Sequence, residues 1–337
     1  AAGPKPAAST NFATWALPRT DHTPRADRDS VGTPTRLIRR VRHFTRGDPI
    51  LSAADGAFAR LSSSACSTMP VDHYENFPVA SLLLPRRLRR PIETIYRFAR
   101  SADDIADEGD ASDAARLRGL ADYRAELDRI NSGHDPATPA FRELALAIDE
   151  WRLPVQLFRD LLDAFAQDVV KKRYADYPEL LDYCRRSANP IGRLVLHLAG
   201  KASNTNLHCS DCICTALQLI NFWQDIAMDW QKDRVYLPRT DLDAFGISEA
   251  QIAAGHPSPE WAALLAFESA RTHALMTEGA PLINQLPGRL GWEIRLTVQG
   301  GLRVLERIRL VHGDVFGERP RLGPGDWLRI GGRALLM

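Results

Sequence analysis

Two acidic clusters with the same internal spacing constrain this chain more than any other feature. Asp103 and Asp107 stand four residues apart, and so do Asp225 and Asp229. On a helix this spacing brings both carboxylates of a cluster to one face. Each cluster also ends a longer polar stripe at helical spacing, and the stripes comprise Tyr96, Arg100, Asp103 and Asp107, and Gln218, Asn221, Asp225 and Asp229. Two helices of a bundle therefore carry polar residues on faces that would ordinarily be apolar.

If the two stripes face each other, they enclose a site for a divalent metal ion. Mg²⁺ takes one or two carboxylates, keeps several waters and completes its octahedron with substrate phosphates, so two carboxylate pairs suit a bound diphosphate. A single acidic helix face is as often simply solvated. The second cluster resists that explanation, because Ile220, Phe222 and Trp223 lie around it and buried carboxylates need partners. An ion-pair network with Arg100 as the counter-charge is the alternative.

Overall charge and hydropathy point away from nucleic acid and from a membrane-spanning protein. With 43 basic and 42 acidic residues, the formal net charge is +1, which gives no whole-protein attraction to a polyanion. The leucines at 82–84 are followed at once by Pro85 and Arg86, and no apolar run is long enough to span a bilayer. We therefore predict a cytoplasmic protein, soluble or peripheral at the inner face of the membrane, with no nucleic-acid partner.

The cysteines favour a reducing compartment. Their number, five, is odd, and the N-terminus shows no secretory signal pattern, so a disulfide framework is not expected. The segment 208–214 (His-Cys-Ser-Asp-Cys-Ile-Cys) contains the ligand types that zinc prefers. It lacks a second ligand pair at a distance and leads directly into a helical pattern. We therefore expect these cysteines to be small buried helix residues.

The first 68 residues differ in composition from the rest. They are rich in Ala, Pro, Ser, Thr and Arg and contain no Glu, which is typical of a segment that cannot bury enough surface to fold. We predict a disordered leader over 1–68, with Met69 as an alternative start, one domain over 69–320 and a C-terminal tail over 321–337. The tail mixes leucines with arginines, so it either lies at a membrane interface or caps the bundle.

Helical periodicity runs through nearly all of the chain after Pro91. Helices are predicted at 91–107, 113–131, 139–150, 154–172, 178–200, 208–231, 258–285 and 289–312, with Gly, Pro or Asn-Ser-Gly breaks between several of them. Strand alternation is almost absent, and residues 234–238 form a short extended turn after the second acidic helix. The predicted fold class is all-α.

Three segments resemble the squalene/phytoene synthase family of head-to-head prenyl synthases. They are His-Tyr-Glu-Asn-Phe-Pro at 73–78, the run from Ile95 to Glu108, and the run from Gln218 to Asp229 followed by Arg-Val-Tyr-Leu-Pro at 234–238. The resemblance covers essentially residues 69–320. Within the family, these segments look most like those of an enzyme of the bacterial hopanoid pathway. It implies a single isoprenoid-synthase-type helical bundle with a central apolar cavity, and aspartate clusters at the mouth of that cavity.

The resemblance also implies roles for individual residues. Mg²⁺, or Mn²⁺ in its place, would be held by Asp103, Asp107, Asn221, Asp225 and Asp229, with Asp104 adjacent. Substrate contacts would come from His73, Phe77, Tyr96, Arg100, Gln218 and Arg234. Tyr174 matches a family tyrosine that faces the cavity and acts in catalysis, although a core tyrosine with a satisfied hydroxyl explains it equally well on the sequence alone.

The implied reaction is metal-assisted ionisation of a prenyl diphosphate. The charge on the departing diphosphate would be neutralised by metal and basic side chains. The remaining carbocation would be shielded by an apolar wall with aromatic faces. Candidates for that wall are Phe77, Phe98, Phe165, Phe222 and Trp223, although aromatic residues at helical spacing are more often plain core.

Two departures from the family pattern narrow the choice among the family's reactions. Gln224 stands where the family commonly has arginine, and Gly301 stands near where many members carry a cavity tyrosine. These changes favour conversion of presqualene diphosphate to hydroxysqualene, without NADPH, over the full reaction from farnesyl diphosphate. Partner enzymes would make presqualene diphosphate and reduce hydroxysqualene. The alternatives are synthesis of presqualene diphosphate or squalene, synthesis of phytoene, and non-catalytic binding of a prenyl lipid.

Overall fold

The structure, a computed structural model, describes residues 84–317 and 319–337, and it is all-α there, as predicted. The described residues form twelve α-helices, which are α1 (Arg86–Asp107), α2 (Asp113–Asn131), α3 (Pro139–Trp151), α4 (Val155–Val170), α5 (Tyr177–Ser187), α6 (Asn189–Leu198), α7 (Asn204–Gln231), α8 (Arg239–Ala244), α9 (Glu249–Ala254), α10 (Pro259–Gly279), α11 (Gly288–Leu310) and α12 (Pro324–Leu336). An isolated parallel bridge joins Arg173 to Val235. The predicted leader and the residues His73 and Phe77 lie outside the described residues.

Most of the predicted helices are present, but the single helix predicted over 178–200 is wrong. The chain forms α5 and α6 there, with Ala188 between them. Pro190 explains the break, because proline has no backbone N–H to donate and its ring clashes with the carbonyl of the preceding turn. The short helices α8 and α9 were not predicted, since six residues each are too few to show a helical period.

Helix α7 is the central helix of the bundle. The Ser203 hydroxyl caps its first turn by accepting a hydrogen bond from the Asn206 amide, and α5, α6, α9, α10 and α11 pack around it. Phe222 and Trp223 on α7 are almost fully buried. A helix enclosed by neighbours is expected to be apolar all round. The buried polar residues of α7 are therefore exceptional, and they include Gln218, Asn221, Asp225 and Asp229.

Helices α7 and α10 approach each other very closely at Gly279, the last residue of α10. A Cβ atom built on Gly279 would lie 2.6 Å from the carbonyl oxygen of Cys209 and 2.7 Å from Cγ1 of Ile213. Farther along the same pair, Trp223 Nε1 donates a hydrogen bond of 2.9 Å to Thr272 Oγ1. Glycine at 279 therefore permits the close crossing, and a buried hydrogen bond fixes the register of the two helices.

The C-terminal tail folds as α12 and packs against α11. Ile330 and Ala334 are buried on one side of α12, and Asp326 accepts a 2.6 Å charged hydrogen bond from Arg303 Nε on α11. One face of the tail thus caps the bundle. Leu328 and Leu336 are 83% and 91% exposed. Within the described residues, no helix combines the length and the apolarity that crossing a bilayer requires.

The crossing at Gly279 makes a testable prediction for stability. Gly279 has helical backbone angles, with φ −75° and ψ −22°, so a Gly279→Ala substitution tests steric contact alone. We expect it to lower the free energy of unfolding by about 1–3 kcal/mol, the usual cost of overpacking a tight contact, as measured by urea denaturation. The control is Gly332→Ala in α12, where nothing lies within 4 Å of the added Cβ. That change should stabilise by about 0.5–1 kcal/mol, because alanine favours a helix. Equal effects of the two substitutions would contradict the packing argument.

Candidate functional site

The first acidic cluster lies at the C-terminal end of α1, where Arg100 compensates part of its charge. Arg100 Nη2 lies 2.7 Å from Asp104 and 2.6 Å from Glu108, while Arg100 Nη1 is 3.7 Å from Asp103. Asp103 is only 2% exposed. Burial and the neighbouring carboxylate of Asp107 raise the pKa of Asp103 well above its ordinary value. Arg100 therefore neutralises the outer acids of the cluster and leaves Asp103 with excess negative charge around it.

Asp107 is held by cations that come from the end of α7. Lys232 Nζ lies 2.9 Å and Arg234 Nη1 3.1 Å from Asp107 Oδ2, and Arg234 Nη2 also donates to Asp107 Oδ1. Burial by itself would raise the pKa of Asp107, but the hydrogen bonds and charges of these two residues outweigh burial and lower it. The ion-pair network foreseen as an alternative thus exists around Asp107, although its cations are Arg234 and Lys232 in addition to Arg100.

The second cluster lies in the last third of α7 and is nearly fully buried. Asn221, Asp225 and Asp229 are 2%, 6% and 4% exposed. Arg319, from the segment between α11 and α12, donates through Nε and Nη2 to the Asp225 carboxylate, and its Nη2 lies 3.5 Å from Asn221 Oδ1. Burial still raises the pKa of Asp225. Burial and the charge of Asp225 raise the pKa of Asp229 well above its ordinary value.

The residues that follow α7 bring the two clusters together. The Arg234 amide donates a 2.8 Å hydrogen bond to the Asp229 carbonyl, while the Arg234 guanidinium binds Asp107 on α1. Asp229 and Arg234 also line one narrow cleft, whose other lining residues are Phe222, Ile226, Val235, Tyr236 and Leu237. The ends of the two polar stripes therefore meet at one place.

The side chains at this place fit a hard divalent cation. Four carboxylates and the Asn221 amide oxygen supply oxygen donors, which Mg²⁺ prefers. Asp229 Oδ2 and Gln218 Nε2 are buried and find no hydrogen-bond partner in the part of the chain that the structure describes. Buried polar atoms in native proteins are nearly always satisfied. The donor set and the unmet hydrogen-bonding capacity both fit a divalent ion and an anionic ligand.

A group of stacked aromatic rings forms the wall beside the acidic residues. The rings of Phe222 and Tyr236 stack with their centroids 3.8 Å apart, and the ring of Tyr174 stacks against Tyr236 with a centroid separation of 5.6 Å. Tyr174 is 2% exposed, and its hydroxyl accepts a 3.2 Å hydrogen bond from Gln167 Nε2. The tyrosine that sequence alone left undecided thus has a satisfied hydroxyl and also belongs to the wall of aromatic rings.

The other predicted site residues are distributed more widely. Tyr96 is half-buried on α1, one turn before Arg100. Of the candidate aromatic residues, Phe98 packs against Phe141 and Phe158 in the core. Trp223 donates a hydrogen bond to Thr272 on α10. Of the described aromatic candidates, Phe222 is the one that lines the cleft.

Sequence reasoning missed Asp168, Lys232 and Arg319. Asp168 on α4 is 2% exposed and accepts a 2.6 Å hydrogen bond from the Tyr183 hydroxyl. Burial raises its pKa to about 6. The available signal was weak, because Asp168 lies beside Val169 and three residues from Phe165, but the same helix also carries Asp160 and Asp163. Lys232 and Arg319 had no such signal, because only the folding of distant segments brings them to the aspartates.

The two departures from the family pattern have structural counterparts. Gln224 Nε2 donates a 2.6 Å hydrogen bond to the Pro320 carbonyl, which holds the adjacent Arg319 at Asp225. A cation therefore still lies beside the second cluster, although it comes from another segment. A Cβ atom on Gly301 would lie 2.7 Å from Met276 Cε and 3.1 Å from Ile220 Cδ1, so neighbouring side chains already occupy the space beside this glycine.

Comparison with known proteins assigns the chain to a family. The squalene/phytoene synthase family model matches residues 71–326. A hydroxysqualene synthase from Rhodopseudomonas palustris is 36% identical over 252 residues, which are 74% of this chain and 84% of that protein. A phytoene synthase from Mycobacterium tuberculosis is 32% identical over 217 residues, 64% of this chain and 70% of that protein.

A solved structure agrees with the sequence relatives. The crystal structure of a squalene synthase from Alicyclobacillus acidocaldarius is 39% identical to this chain, with a TM-score of 0.67, and covers 72% of this chain and 90% of its own. Fold, paired aspartate clusters and sequence similarity thus agree. The chain belongs to the squalene/phytoene synthase family.

Proposed function

We propose that this protein is a hydroxysqualene synthase, which converts presqualene diphosphate and water to hydroxysqualene and diphosphate. The observation that carries the proposal is the meeting of two buried carboxylate pairs, from α1 and α7, beside a wall of aromatic rings. Such a site suits the departure of diphosphate next to an apolar carbocation. The 36% identity to a protein named hydroxysqualene synthase supports this branch of the family.

Mg²⁺ is the proposed cofactor, and Mn²⁺ would substitute for it. The residues that would hold it are Asp103, Asp107, Asn221, Asp225 and Asp229. When bound, Mg²⁺ would stabilise the negative charge that develops on the departing diphosphate. Asp104, which is paired with Arg100 at 2.7 Å, is better placed to orient that arginine.

The basic residues of the site would bind the diphosphate. Arg100, Lys232, Arg234 and Arg319 all lie against the aspartates. Fixed cations in a partly buried site stabilise developing anionic charge more effectively than water does, because they need no reorganisation during the reaction. We assign these four side chains, together with the unpartnered Gln218 amide, to holding the diphosphate oxygens as the C–O bond breaks.

The aromatic wall would protect the carbocation. Ring faces carry negative electrostatic potential and attract cations, and Phe222, Tyr236 and Tyr174 present three stacked rings next to the acidic residues. After rearrangement, one water adds its hydroxyl group to the carbocation, and the proton released from that water passes to diphosphate. The balance includes no hydride, so the reaction requires no NADPH.

The second candidate is squalene synthesis from farnesyl diphosphate. The squalene synthase named above, at 39% identity, favours it. Against it stand Gln224 and Gly301, which replace an arginine and a tyrosine common in the family. Gln224 is engaged with Pro320, and the space at Gly301 is filled by Met276.

We further propose that the exposed face of α12 contacts an anionic membrane surface. Leu328, Leu335 and Leu336 are 83%, 70% and 91% exposed, and Arg329 beside them is also exposed. A helix that combines exposed leucines with arginine suits the interface of a bilayer with anionic lipids. The proposed substrate and product are both lipids, so contact with the membrane would shorten the path that they travel between the bilayer and the site.

The reaction is tested by product analysis. The purified full chain with Mg²⁺ and without NADPH is incubated separately with presqualene diphosphate and with farnesyl diphosphate, and the products are identified by mass spectrometry. We expect hydroxysqualene from presqualene diphosphate and no product from farnesyl diphosphate. Accumulation of presqualene diphosphate from farnesyl diphosphate would instead support the second candidate.

The metal assignment is tested by isosteric substitution. Asp103→Asn and Asp225→Asn remove one negative charge each while keeping side-chain volume, and we expect each to lower turnover by about a hundredfold or more, as loss of a key electrostatic contact does. Circular dichroism should show an unchanged helical fold. The matched control is Asp122→Asn on the exposed face of α2, which should retain full activity. Full activity in either site variant would refute the assignment.

Membrane contact is tested by vesicle sedimentation with phosphatidylglycerol-containing vesicles. The double substitution Leu335→Ser and Leu336→Ser should lower the partition coefficient for the vesicles by about thirtyfold or more, since burial contributes more than about 1 kcal/mol for each of the two leucines. Leu146→Ser on α3, 67% exposed in the native chain, is the control and should bind normally. Equal binding by all variants would contradict a role for α12.

A further inference from the structure

Three metal-ligating side chains converge on the side of the bundle where α7 and α10 cross. His208 and Cys212 lie on α7, and Glu278 lies on the last turn of α10. His208 Nε2 is 2.9 Å from Glu278 Oε1 and 3.8 Å from Cys212 Sγ. All three ligand atoms lie within 4.8 Å of one another. The side chains of His208 and Glu278 are 63% and 54% exposed, so an ion has access from solvent.

The backbone explains why these side chains meet. His208 and Cys212 stand four residues apart and therefore share one face of α7. Gly279 lets the end of α10 approach the α7 backbone to contact distance, and this places its neighbour Glu278 beside that face. The convergence thus follows from the same close crossing that orders the core.

The other cysteines of the 208–214 segment do not join this group. The backbone of Cys209 faces Gly279, and its side chain is buried in the main core cluster. A Cβ atom on Gly192 of α6 would lie 2.5 Å from Cys214 Sγ, so Cys214 packs against α6. Cys209 is buried and Cys214 is half-buried, so the expectation of small buried helix residues holds for Cys209 and in part for Cys214. The distant ligand that the sequence did not reveal is Glu278, which reaches Cys212.

We propose that His208, Cys212 and Glu278 form a zinc site that clamps α7 to α10. Zn²⁺ accepts imidazole nitrogen, thiolate sulfur and carboxylate oxygen, and sites with three protein ligands keep water in the fourth position. Metal–ligand bonds of about 2.0–2.3 Å in a tetrahedron put pairs of ligand atoms about 3.3–3.6 Å apart. The His208–Glu278 and His208–Cys212 separations of 2.9 and 3.8 Å bracket that range, so small side-chain adjustments would complete the site.

The site is separate from the aspartate clusters in position and in chemistry. At 1.5 Å per residue, Cys212 and Asp225 are roughly 20 Å apart along α7. The aspartate site offers oxygen donors, which suit Mg²⁺, whereas thiolate selects softer ions. The clamp therefore does not depend on the proposed reaction. A simple His208–Glu278 ion pair is the competing explanation, and exposed pairs of that kind contribute little to stability.

Cobalt absorption distinguishes the clamp from the ion pair. The full chain is stripped with a chelator and titrated with Co²⁺ in the presence of excess Mg²⁺. We expect a thiolate-to-cobalt charge-transfer band in the near ultraviolet that Zn²⁺ abolishes by displacement. Cobalt bound at the aspartates cannot produce this band, because no sulfur lies among those ligands. The band should vanish in Cys212→Ser and persist in the matched controls Cys209→Ser and Cys214→Ser. Absence of the band, or its persistence in Cys212→Ser, would overturn the proposal.

A thermal measurement tests the clamp with a variant whose folding is not in question. His208 is largely exposed, so His208→Ala should fold normally and retain Mg²⁺-dependent turnover. Zn²⁺ that binds only the native state raises the melting temperature, and we expect that rise in the parent chain and not in His208→Ala. Glu278→Gln should raise the Co²⁺ concentration at half-saturation about tenfold, which is equivalent to a loss of about 1.4 kcal/mol in binding free energy. An equal zinc-induced shift in the parent chain and in His208→Ala would refute the site, whatever the outcome of the product analysis.

Discussion

The burial of four carboxylates at the ends of α1 and α7 is the constraint on which the rest of the site depends. A buried carboxylate without a partner is strongly destabilising, so cationic groups must reach it. Arg234 and Lys232 do this for Asp107. Both belong to the turn that ends α7, and the chain must therefore reverse toward α1 at that point. Asp233 between them adopts a left-handed φ of 58°, a conformation that is uncommon for most non-glycine residues but that aspartate adopts more readily than they do.

This reversal also builds the aromatic wall. Directly after Arg234, the Val235 amide donates a 2.9 Å hydrogen bond to the Lys172 carbonyl, which fixes the extended segment beside the end of α4. The next residue, Tyr236, is thereby stacked on Phe222 of α7. One short segment thus supplies a cation for the first acidic cluster and an apolar face for the adjoining space. The charged and the aromatic side chains lie side by side because Arg234 and Tyr236 are only two residues apart in the chain.

Local patterns in the sequence predicted the helical class, most helix positions and the two polar stripes, because those properties depend on residues three and four apart. The contacts that complete the site depend on distant segments. Arg319 follows Asp225 by nearly a hundred residues, and its position depends on the bond between Gln224 and Pro320. Similarly, Glu278 has no local feature that marks it as a neighbour of His208. Sequence periodicity shows which face a residue occupies, but it does not show which segment covers that face.

Within each cluster one carboxylate is closely paired with a cation and the other is not, Asp107 and Asp225 being the paired ones, and this difference bears on function. Arg234 and Lys232 lower the pKa of Asp107 against the effect of burial, whereas burial keeps the pKa of Asp103 and of Asp229 well above the ordinary value. If every carboxylate were fully paired within the protein, a divalent ion would have to displace a strong partner at each position. Incomplete pairing makes the metal-free protein less stable than it could be. An ion that bound only the native state would recover that stability by mass action, so the energetic cost of burying these aspartates would become affinity for the proposed metal.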